Sequence, residues 1–355
     1  MLKTRFKCLP MAAAILSAGL LFTTSASQAC TRVVYHGDNA LNVTARSMDW
    51  KVDVMTDLWI FPRGMERTGQ AGPNSLKWTS KYGSVIASAY NAATTDGLNE
   101  AGLVANALWL AESEYPAYDA NKPSLSIAAW TQYVLDNFAT VEEAVKALEK
   151  EPLALVTSQV PGEDRLATLH LAISDASGDS AIIEYIDGQQ MIYHSRDYQV
   201  TTNSPTFPEQ LALHSYWTEI GGTVMLPGTN RAADRFTRAA FYINAVPKDQ
   251  DHLKSLASVF SVIRNASVPF GLTTPDQPNI SSTRWRTVSD QKNLLYFFES
   301  AVTPNVFWVD LKKLDFSEKS GQVKKLDLGP DQGNLFSGEV SADFKPSQPF
   351  EFLGL

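Results

Sequence analysis

Apolar and polar residues alternate in many short runs along this chain, and such alternation predicts β-strands with one buried face. Glycine, aspartate and asparagine separate most of these runs, so neighbouring strands are expected to pair as hairpins and meanders. The predicted strands are, in chain order, 31–36, 41–46, 84–90, 103–110, 167–173, 180–186, 190–194, 284–288, 294–299 and 306–311.

Four other segments carry apolar residues at helical spacing. The second of them opens with Thr140 and Glu143, which have the spacing of a capping box. Strand runs mixed with pairs of helices predict an α+β fold rather than a doubly wound parallel sheet. The predicted helices are 124–138, 140–150, 232–245 and 252–265.

Two further segments are predicted to lie outside helices and long strands. Residues 96–102 read Asp-Gly-Leu-Asn-Glu-Ala-Gly and favour turns, and the polar tail from Lys312 onward predicts an extended wrap. The chain contains neither repeats nor a linker nor a low-complexity region. Residues 30–355 are therefore expected to form a single domain.

The first 29 residues have the pattern of a secretory signal peptide. Three basic residues precede an apolar run over 11–22, and Ser27 and Ala29 are the small residues that a signal peptidase requires. Cleavage after Ala29 would make Cys30 the first residue of the mature protein. A secretory signal without a cell-wall anchor indicates the periplasm.

Three interpretations of Cys30 follow from this position. A disulfide is excluded in the mature chain, because the only other cysteine, Cys8, lies in the predicted signal peptide. A lipoprotein anchor is a second interpretation, but its signals usually have leucine at minus three, where this chain has Ser27. The third is a nucleophile whose own free α-amine is the base.

Length and charge exclude several classes of function. Removing the signal peptide, with three basic and no acidic residues, leaves 326 of the 355 residues and takes the formal net charge from −8 to −11. A chain of this size buries a large core without disulfides or metals. The acidic balance argues against nucleic-acid partners and against binding to anionic membranes, and no membrane anchor is expected.

Arg46 and Asp49 lie at the end of the second predicted strand, which a short hairpin returns to the level of Cys30. An arginine there favours the thiolate, the reactive form of cysteine. An aspartate there can hold the α-amine, which titrates at about 8 and can accept the thiol proton without a histidine. The residues alone leave a second interpretation open, a surface ion pair that closes the hairpin.

Other catalytic chemistries lack their usual patterns. The five histidines show no zinc-binding spacing, and neither a Gly-x-Ser-x-Gly elbow nor a phosphate-binding glycine loop occurs. No metal or organic cofactor is therefore expected. A cysteine hydrolase with a histidine as its base stays an open alternative, although a free terminal amine would make a catalytic histidine unnecessary.

Cys30-Thr-Arg, followed by Arg46-Ser-Met-Asp-Trp, resembles the choloylglycine hydrolase family of N-terminal nucleophile hydrolases. The resemblance extends along nearly the whole mature chain. It includes 96–103, Thr-Asn-Ser-Pro at 202–205, Leu-Pro-Gly at 226–228 with Arg-Phe at 235–236, and 283–285. It implies a four-layer αββα sandwich of two antiparallel sheets.

The resemblance also implies roles for residues around the nucleophile. Cys30 would be the nucleophile and its amine the base and later the acid, while Asp49 would orient the amine and Arg46 would stabilise the thiolate. The side-chain amide of Asn203 and the backbone N–H of Trp109 would bind the oxyanion, with Arg235 supporting the charge. The family often has Asn or Tyr at the position of Trp109, so tryptophan changes the pocket wall rather than the donor.

The implied activity is hydrolysis of linear amides with an apolar acyl group. Met48, Trp50 and Trp109 are expected to bind the acyl group, which favours penicillin V and, as a second substrate, N-acyl homoserine lactones. Hydrolysis of conjugated bile salts is the alternative within the family. A non-catalytic periplasmic binding protein, or a lipoprotein attached through Cys30, is the alternative outside it. The family resemblance further predicts a homotetramer.

Overall fold

The computed structural model of the protein describes residues 30–222, 224–274 and 280–355, so the predicted signal peptide and Cys8 lie outside the described residues. The strands of the described part are β1 (Thr31–His36), β2 (Asn42–Trp50), β3 (Leu58–Phe61), β4 (Glu66–Thr68), β5 (Lys77–Thr79), β6 (Ser84–Ala89), β7 (Ala93–Asn99), β8 (Val104–Trp109), β9 (Ser124–Ser126), β10 (Ala154–Val156), β11 (Leu169–Ser174), β12 (Ser180–Ile186), β13 (Gln189–His194), β14 (Val200–Thr201), β15 (Ser282–Asp290), β16 (Leu295–Ser300), β17 (Val306–Asp310), β18 (Lys324–Leu326), β19 (Gly338–Glu339) and β20 (Lys345–Pro346).

Helices interrupt the strands in two groups. Thr140 caps the second helix by accepting a hydrogen bond from the backbone N–H of Glu143 at 3.1 Å, as the capping-box spacing predicts. The α-helices are α1 (Ile127–Asn137), α2 (Val141–Lys150), α3 (Phe207–Glu219), α4 (Ala232–Ala245) and α5 (His252–Asn265), and short 3₁₀ turns occupy Leu311–Lys313 and Pro330–Gln332.

Two large sheets form the centre of the molecule. Sheet 1 has the strand order β14-β1-β2-β15-β16-β17-β19, and sheet 2 has the order β13-β12-β11-β8-β7-β6-β3-β18-β20. The pairs within these two sheets are antiparallel, except that β19 joins β17 in parallel at the edge of sheet 1. Every residue of β2 is buried, since this central strand is covered on both faces.

The helices cover the outer faces of the two sheets. Helices α4 and α5 pack on sheet 1 and α3 packs on α4, while α1 and α2 pack on sheet 2. This arrangement confirms the predicted αββα sandwich. The active region described below lies between the sheets, at the end where β1 begins.

The structure corrects the sequence expectation at several places: β3, β4 and β5 were not predicted, and residues 124–126 of the first predicted helix form β9. Strand β2 continues to Trp50 instead of ending at Arg46, because burial on both faces removes the alternation that marks a half-buried strand. The turn expected at 96–102 is wrong for most of its length, since β7 runs to Asn99. Helix α3 was not predicted, although Thr206 and Glu209 form a capping box at its start.

Candidate active site

Cys30 directly precedes β1 and is buried. The register of the β1–β2 hairpin pairs Thr31 with Ser47, which brings Cys30 beside the last residues of β2. Its Sγ atom lies 4.0 Å from the backbone carbonyl oxygen of Asp49. The extension of β2 to Trp50 therefore places Arg46, Asp49 and Cys30 in one region, as the sequence predicted.

Arg46 reaches from β2 across the space between the sheets. Its Nη2 atom lies 3.8 Å from Cys30 Sγ and donates to the backbone carbonyl of Ala107 at 2.8 Å. Its guanidinium lies 4.8 Å from the ring centroid of Trp285. The Nε and Nη1 atoms have no hydrogen-bond partner among the described residues. Arg46 therefore places a buried positive charge with two unused nitrogen donors beside the thiol of Cys30.

Asp49 is fully enclosed at the end of β2. Its carboxylate accepts hydrogen bonds from Thr283 Oγ1 at 2.5 Å and from Ser47 Oγ at 3.3 Å. Burial raises the pKa of Asp49 to about 6, and the positive charge of Arg235 opposes this shift. Thr283 belongs to β15, so the hydroxyl that holds Asp49 comes from the neighbouring strand of sheet 1.

Asn203 and Arg235 surround the backbone of Cys30. The nitrogen of Cys30 donates to Asn203 Oδ1 at 2.5 Å, and Arg235 Nη2 donates to the same oxygen at 2.9 Å. Arg235 Nη1 donates to the carbonyl oxygen of Cys30 at 2.6 Å. Burial lowers the pKa of Arg235, and the negative charge of Asp49 counters this effect. Helix α4 thereby fixes the residue that precedes β1.

The hydrogen bonds differ in one respect from the implied roles. The nitrogen of Cys30 is bonded to Asn203, whereas the Asp49 carboxylate is bonded to hydroxyl groups. This nitrogen carries one hydrogen while it is joined to Ala29, and an α-ammonium would carry three. The orientation of the amine by Asp49 therefore stays a prediction, which applies to the processed chain.

The pairing of β8 with β11 determines which backbone groups of β8 point toward Cys30. The backbone N–H of Leu110 donates to the carbonyl of Thr168 at 3.1 Å, so these two residues form a hydrogen-bonded antiparallel pair. In such a ladder, successive residues point their backbone groups to opposite sides. The N–H and C=O of Trp109 therefore point away from β11.

Two site residues bind this same edge of β8. Arg46 Nη2 donates to the carbonyl of Ala107, and Asn203 Nδ2 donates to the carbonyl of Trp109 at 2.7 Å. The N–H of Trp109 thus points toward the region that Arg46 and Asn203 occupy. An amide NH₂ group has two hydrogens, so Asn203 retains a second donor after binding Trp109.

An apolar cavity that opens to solvent adjoins Cys30. Met48, Trp50 and Trp109, the three residues that the sequence nominated for acyl binding, line it. The rings of Trp50 and Trp109 lie 5.5 Å apart with a tilt of 55°. Apolar side chains form nearly the whole lining, so the cavity suits an aromatic or alkyl group better than a polar one.

Arg165 covers the tryptophan pair and was not found from the sequence. Its guanidinium lies 4.5 Å from the Trp109 ring centroid and 5.5 Å from that of Trp50. Its Nε atom pairs with Glu163 at 2.6 Å, and Glu163 also pairs with Lys51 at 3.2 Å. No motif marks Arg165, because its position depends on how the loop after β10 folds over the two rings.

Two kinds of feature are absent from the part of the chain that the structure describes. Among residues 30–222, 224–274 and 280–355, no group of three or more His, Cys, Asp or Glu side chains is arranged to hold a metal ion. Over the same ranges, no helix has the length and apolar character needed to cross a membrane.

Comparison with solved structures supports the arrangement. The structure of penicillin V acylase from Agrobacterium tumefaciens is 69% identical, covers 92% of this chain and 100% of its own, and superposes with a TM-score of 0.87. The structure of a mutant conjugated bile acid hydrolase from Clostridium perfringens is 20% identical. It covers 87% of this chain and 98% of its own with a TM-score of 0.70, which shows the shared fold.

Comparison of sequences gives the same picture. Penicillin V acylase from Pectobacterium atrosepticum is 58% identical over the full length of both chains. Bile salt hydrolase/transferase from Clostridium perfringens is 24% identical over 80% of this chain and 93% of its own. The family model described as linear amide C–N hydrolases, choloylglycine hydrolase family, matches residues 30–323. The chain therefore belongs to the choloylglycine hydrolase family of linear amide C–N hydrolases.

Proposed function

We propose that this protein hydrolyses the side-chain amide of penicillin V, releasing phenoxyacetic acid and 6-aminopenicillanate. The observation that carries the proposal is the juxtaposition of Cys30 with an apolar cavity flanked by two tryptophans. The relatives named penicillin V acylase, at 58% and 69% identity, support the same substrate. An aryloxyacetyl group is flat and apolar, so it can pack against the aromatic side chains that line the cavity.

The reaction requires that residues 1–29 be removed after export to the periplasm. Cleavage would turn the nitrogen of Cys30 into a free α-amine, which accepts the proton of the thiol as Sγ attacks the amide carbonyl. The tetrahedral intermediate then collapses, the C–N bond breaks, and the ammonium returns its proton to the leaving amine. Water, activated by the same amine, hydrolyses the thioester and regenerates the thiol.

The surrounding residues stabilise the charges that develop in this sequence. Arg46, with its Nη2 atom 3.8 Å from Sγ, favours the thiolate. The N–H of Trp109 and the second hydrogen of Asn203 Nδ2 are the proposed donors to the oxyanion. Arg235 holds the carbonyl of Cys30 and the side chain of Asn203, so it fixes both the nucleophile and the donor. The carboxylate of Asp49 is the proposed hydrogen-bond acceptor that orients the α-ammonium of Cys30.

N-acyl homoserine lactones are a second candidate substrate class. The cavity is apolar along its length, and Ala93, Ala107 and Ala128 line it beyond the tryptophans. Small side chains leave room for an unbranched alkyl chain. A bile acid is less well suited, since its rigid ring system cannot bend to follow a cavity walled by the packed rings of Trp50 and Trp109. The relatives named as bile salt or bile acid hydrolases are also more distant, at 20% to 27% identity.

Copies of the protein are further proposed to associate, as in the predicted homotetramer. Helix α3 and the segment after it expose large apolar side chains, including Tyr216, Val224 and Met225. Contiguous exposed apolar groups of this kind are typical of protein interfaces. Light scattering of the purified protein measures the number of copies directly.

The test is hydrolysis of penicillin V by the mature protein and by Cys30→Ala and Cys30→Ser variants. Turnover is expected in the wild type and is expected to fall on the order of 10³-fold or more in both variants, because the nucleophile is lost. A chain with one residue added before Cys30 should lose activity similarly, since the nitrogen of Cys30 is then an amide. Mass spectrometry of the exported protein should give Cys30 as the first residue, with a free amine.

Wild-type turnover that persists in Cys30→Ala would overturn the mechanism. A stable, correctly processed protein that hydrolyses neither penicillin V nor acyl homoserine lactones would favour the binding-protein alternative. An acylated terminus and solubility only in detergent would identify the lipoprotein instead.

A further inference from the structure

Sheet 2 is split next to the active site. Strands β7 and β8 pair from Leu98 and Val104 only as far as Asp96 and Asn106. Beyond that pair, β7 extends back to Ala93 and β8 extends forward to Trp109. The first residues of β7 instead pair with β6, and the last residues of β8 pair with β11. A gap therefore opens between two adjacent strands of the sheet.

The apolar cavity passes through this gap. Ala93 and Thr95 line it from β7, and Ala107 and Trp109 line it from β8. Cys30 lies at the end of the cavity that belongs to sheet 1. The first turn of α1 also lines the cavity, and α1 packs on the opposite face of sheet 2. The cavity thus leads from the nucleophile through sheet 2 toward the outer helix layer.

Leu353 stands at the outer end of this passage. Its backbone N–H donates to the carbonyl of Ala92 at 2.8 Å, and its carbonyl accepts from Ser126 Oγ. Two residues later, the N–H of Leu355 donates to the carbonyl of Gln70 at 3.0 Å. Three backbone contacts therefore hold the segment across the passage, which fixes the position of the Leu353 side chain.

Leu353, together with residues 158–161, separates two spaces. It lines the apolar cavity, and it also lines a surface depression bordered by Gly162 and Asp164. Its partial exposure contrasts with the buried Cys30 at the other end. An acyl chain that grew longer from the carbonyl carbon at Cys30 would first fill the gap in the sheet and would then meet Leu353.

We propose that Leu353 determines the length of the acyl group that the cavity accepts. This inference rests on the proposed function and specifies its substrate class, namely amides whose apolar acyl group ends at or before Leu353. The alanines along the gap admit an unbranched chain or a phenoxymethyl group, and Leu353 ends the space available to it. A smaller residue opens the passage to the surface depression, and a larger one shortens it.

The test compares p-nitroanilides of hexanoic, octanoic, decanoic and dodecanoic acids with wild type, Leu353→Ala and Leu353→Trp. The ratio of kcat/KM for dodecanoyl to that for hexanoyl should rise roughly tenfold or more in Leu353→Ala and fall by a similar factor in Leu353→Trp, since even one methylene in an apolar site changes discrimination at least this much. Leu355→Ala is the matched control, because Leu355 lies in the same segment but outside the lining of the cavity. It should keep the wild-type ratio.

A second readout does not depend on turnover. Calorimetric binding of the corresponding fatty acids to Cys30→Ala, with and without each Leu353 change, should give the same dependence on chain length. Unchanged dependence in both Leu353 variants would overturn the inference while leaving the proposed function intact. Failure of the wild type to hydrolyse any anilide or penicillin V, combined with length-dependent binding that Leu353 controls, would overturn the proposed function alone.

Discussion

Two buried arginines, Arg32 and Arg46, lie directly opposite each other on the β1–β2 hairpin. Both reach from sheet 1 to sheet 2. Arg32 donates to Ser180 Oγ at 2.9 Å and to the carbonyl of Ile173 at 3.0 Å, so it joins the sheets away from the cavity. Arg46 binds only one carbonyl of sheet 2 and keeps Nη2 within 3.8 Å of Cys30 Sγ.

The difference between them lies in their neighbours rather than in their burial. Burial alone lowers the pKa of Arg32 to about 9. Arg46, in contrast, lies close enough to Asp49 and Asp96 to lower the pKa of each carboxyl, although burial raises both pKa values overall. A buried arginine surrounded by neutral acceptors fastens two sheets together. A buried arginine between acids and a thiol can act on charge that develops during a reaction.

The largest effect should come from Arg46→Met. We expect kcat/KM for penicillin V to fall on the order of 10²–10³-fold, because the variant loses a positioned charge at the nucleophile. Arg46→Lys should recover part of the loss, since lysine restores the positive charge without the planar group. Steady-state kinetics, with thermal unfolding as the control for folding, measures both. Activity above a third of wild type in Arg46→Met would contradict the assignment.

Arg32→Met should lower the stability of the protein without lowering its catalytic activity. The Ser180 hydroxyl and the Ile173 carbonyl lose a donor, and each buried polar group left unsatisfied costs roughly 1–3 kcal/mol. We therefore expect a lower free energy of unfolding, measured in urea, with kcat/KM of the folded protein unchanged. If activity instead falls as far as in Arg46→Met, the distinction between the two arginines is wrong.

Asp96 is one of the two carboxyl groups near Arg46, so the comparison can be tested by measuring the free energy of unfolding of Asp96→Asn and wild type over a range of pH. Asp96 accepts hydrogen bonds from Asn106 Nδ2 at 2.6 Å and Thr287 Oγ1 at 3.1 Å, and burial raises its pKa above the usual 3.8. Between 3.8 and this raised value the folded protein binds more protons than the unfolded chain. The stability contributed by this group therefore falls as pH rises, by at most about 1.4 kcal/mol per pH unit.

The asparagine variant lacks this dependence. Its free energy of unfolding relative to wild type should therefore increase as pH rises from below 4 to 7. Urea unfolding at several pH values measures the difference between the two proteins. A difference that stays constant with pH would show that Asp96 has the same proton affinity in the folded and unfolded states.

The smallest effect is expected for a third arginine, Arg165, whose guanidinium lies over two tryptophan rings and pairs with Glu163 instead of binding the sheets. Arg165→Met should raise KM for phenoxyacetyl substrates a few-fold with kcat unchanged, because a partly exposed cation over an aromatic ring contributes about 0.5–1 kcal/mol. Arg264→Met is the matched control. Arg264 also covers a ring, that of Phe260 at 5.1 Å, and pairs with Glu299 at 2.6 Å, but Phe260 does not line the cavity as Trp50 and Trp109 do. An equal rise of KM in both variants would contradict the role of Arg165.

Much of the fold could be predicted because local pattern and tertiary environment agree. Helices α4 and α5 match the predicted ranges, since each presents one apolar face to sheet 1. Strand β7 was missed because Gly97 and Asn99 usually favour turns. Here Gly97 allows close packing, as a Cβ atom would lie 2.7 Å from both Ile86 and Leu135. Asn99 binds the last carbonyls of α1 and the loop after β7.

Some residues of the candidate site could likewise be predicted from the sequence, and others could not. Sequence motifs were enough to nominate Cys30, Arg46 and Asp49, because a hairpin brings its two strands together in a predictable register. Thr283, which holds Asp49, and Leu353, at the end of the cavity, depend on how distant segments meet. The family resemblance includes Thr283 within 283–285 but gives it no role, and Leu353 has no local pattern that distinguishes it from an ordinary tail residue, so only the folded chain shows what each of them contacts.

Cys30 and Leu353 both line the cavity, although they lie near opposite ends of residues 30–355 in the sequence. Contacts between residues so far apart along the chain form late in folding, after local hairpins and helices. Substrate hydrolysis therefore reports on the completeness of folding. A partly folded protein could retain the circular dichroism of its sheets and still lack a closed acyl cavity, which makes turnover the stricter measure of the native state.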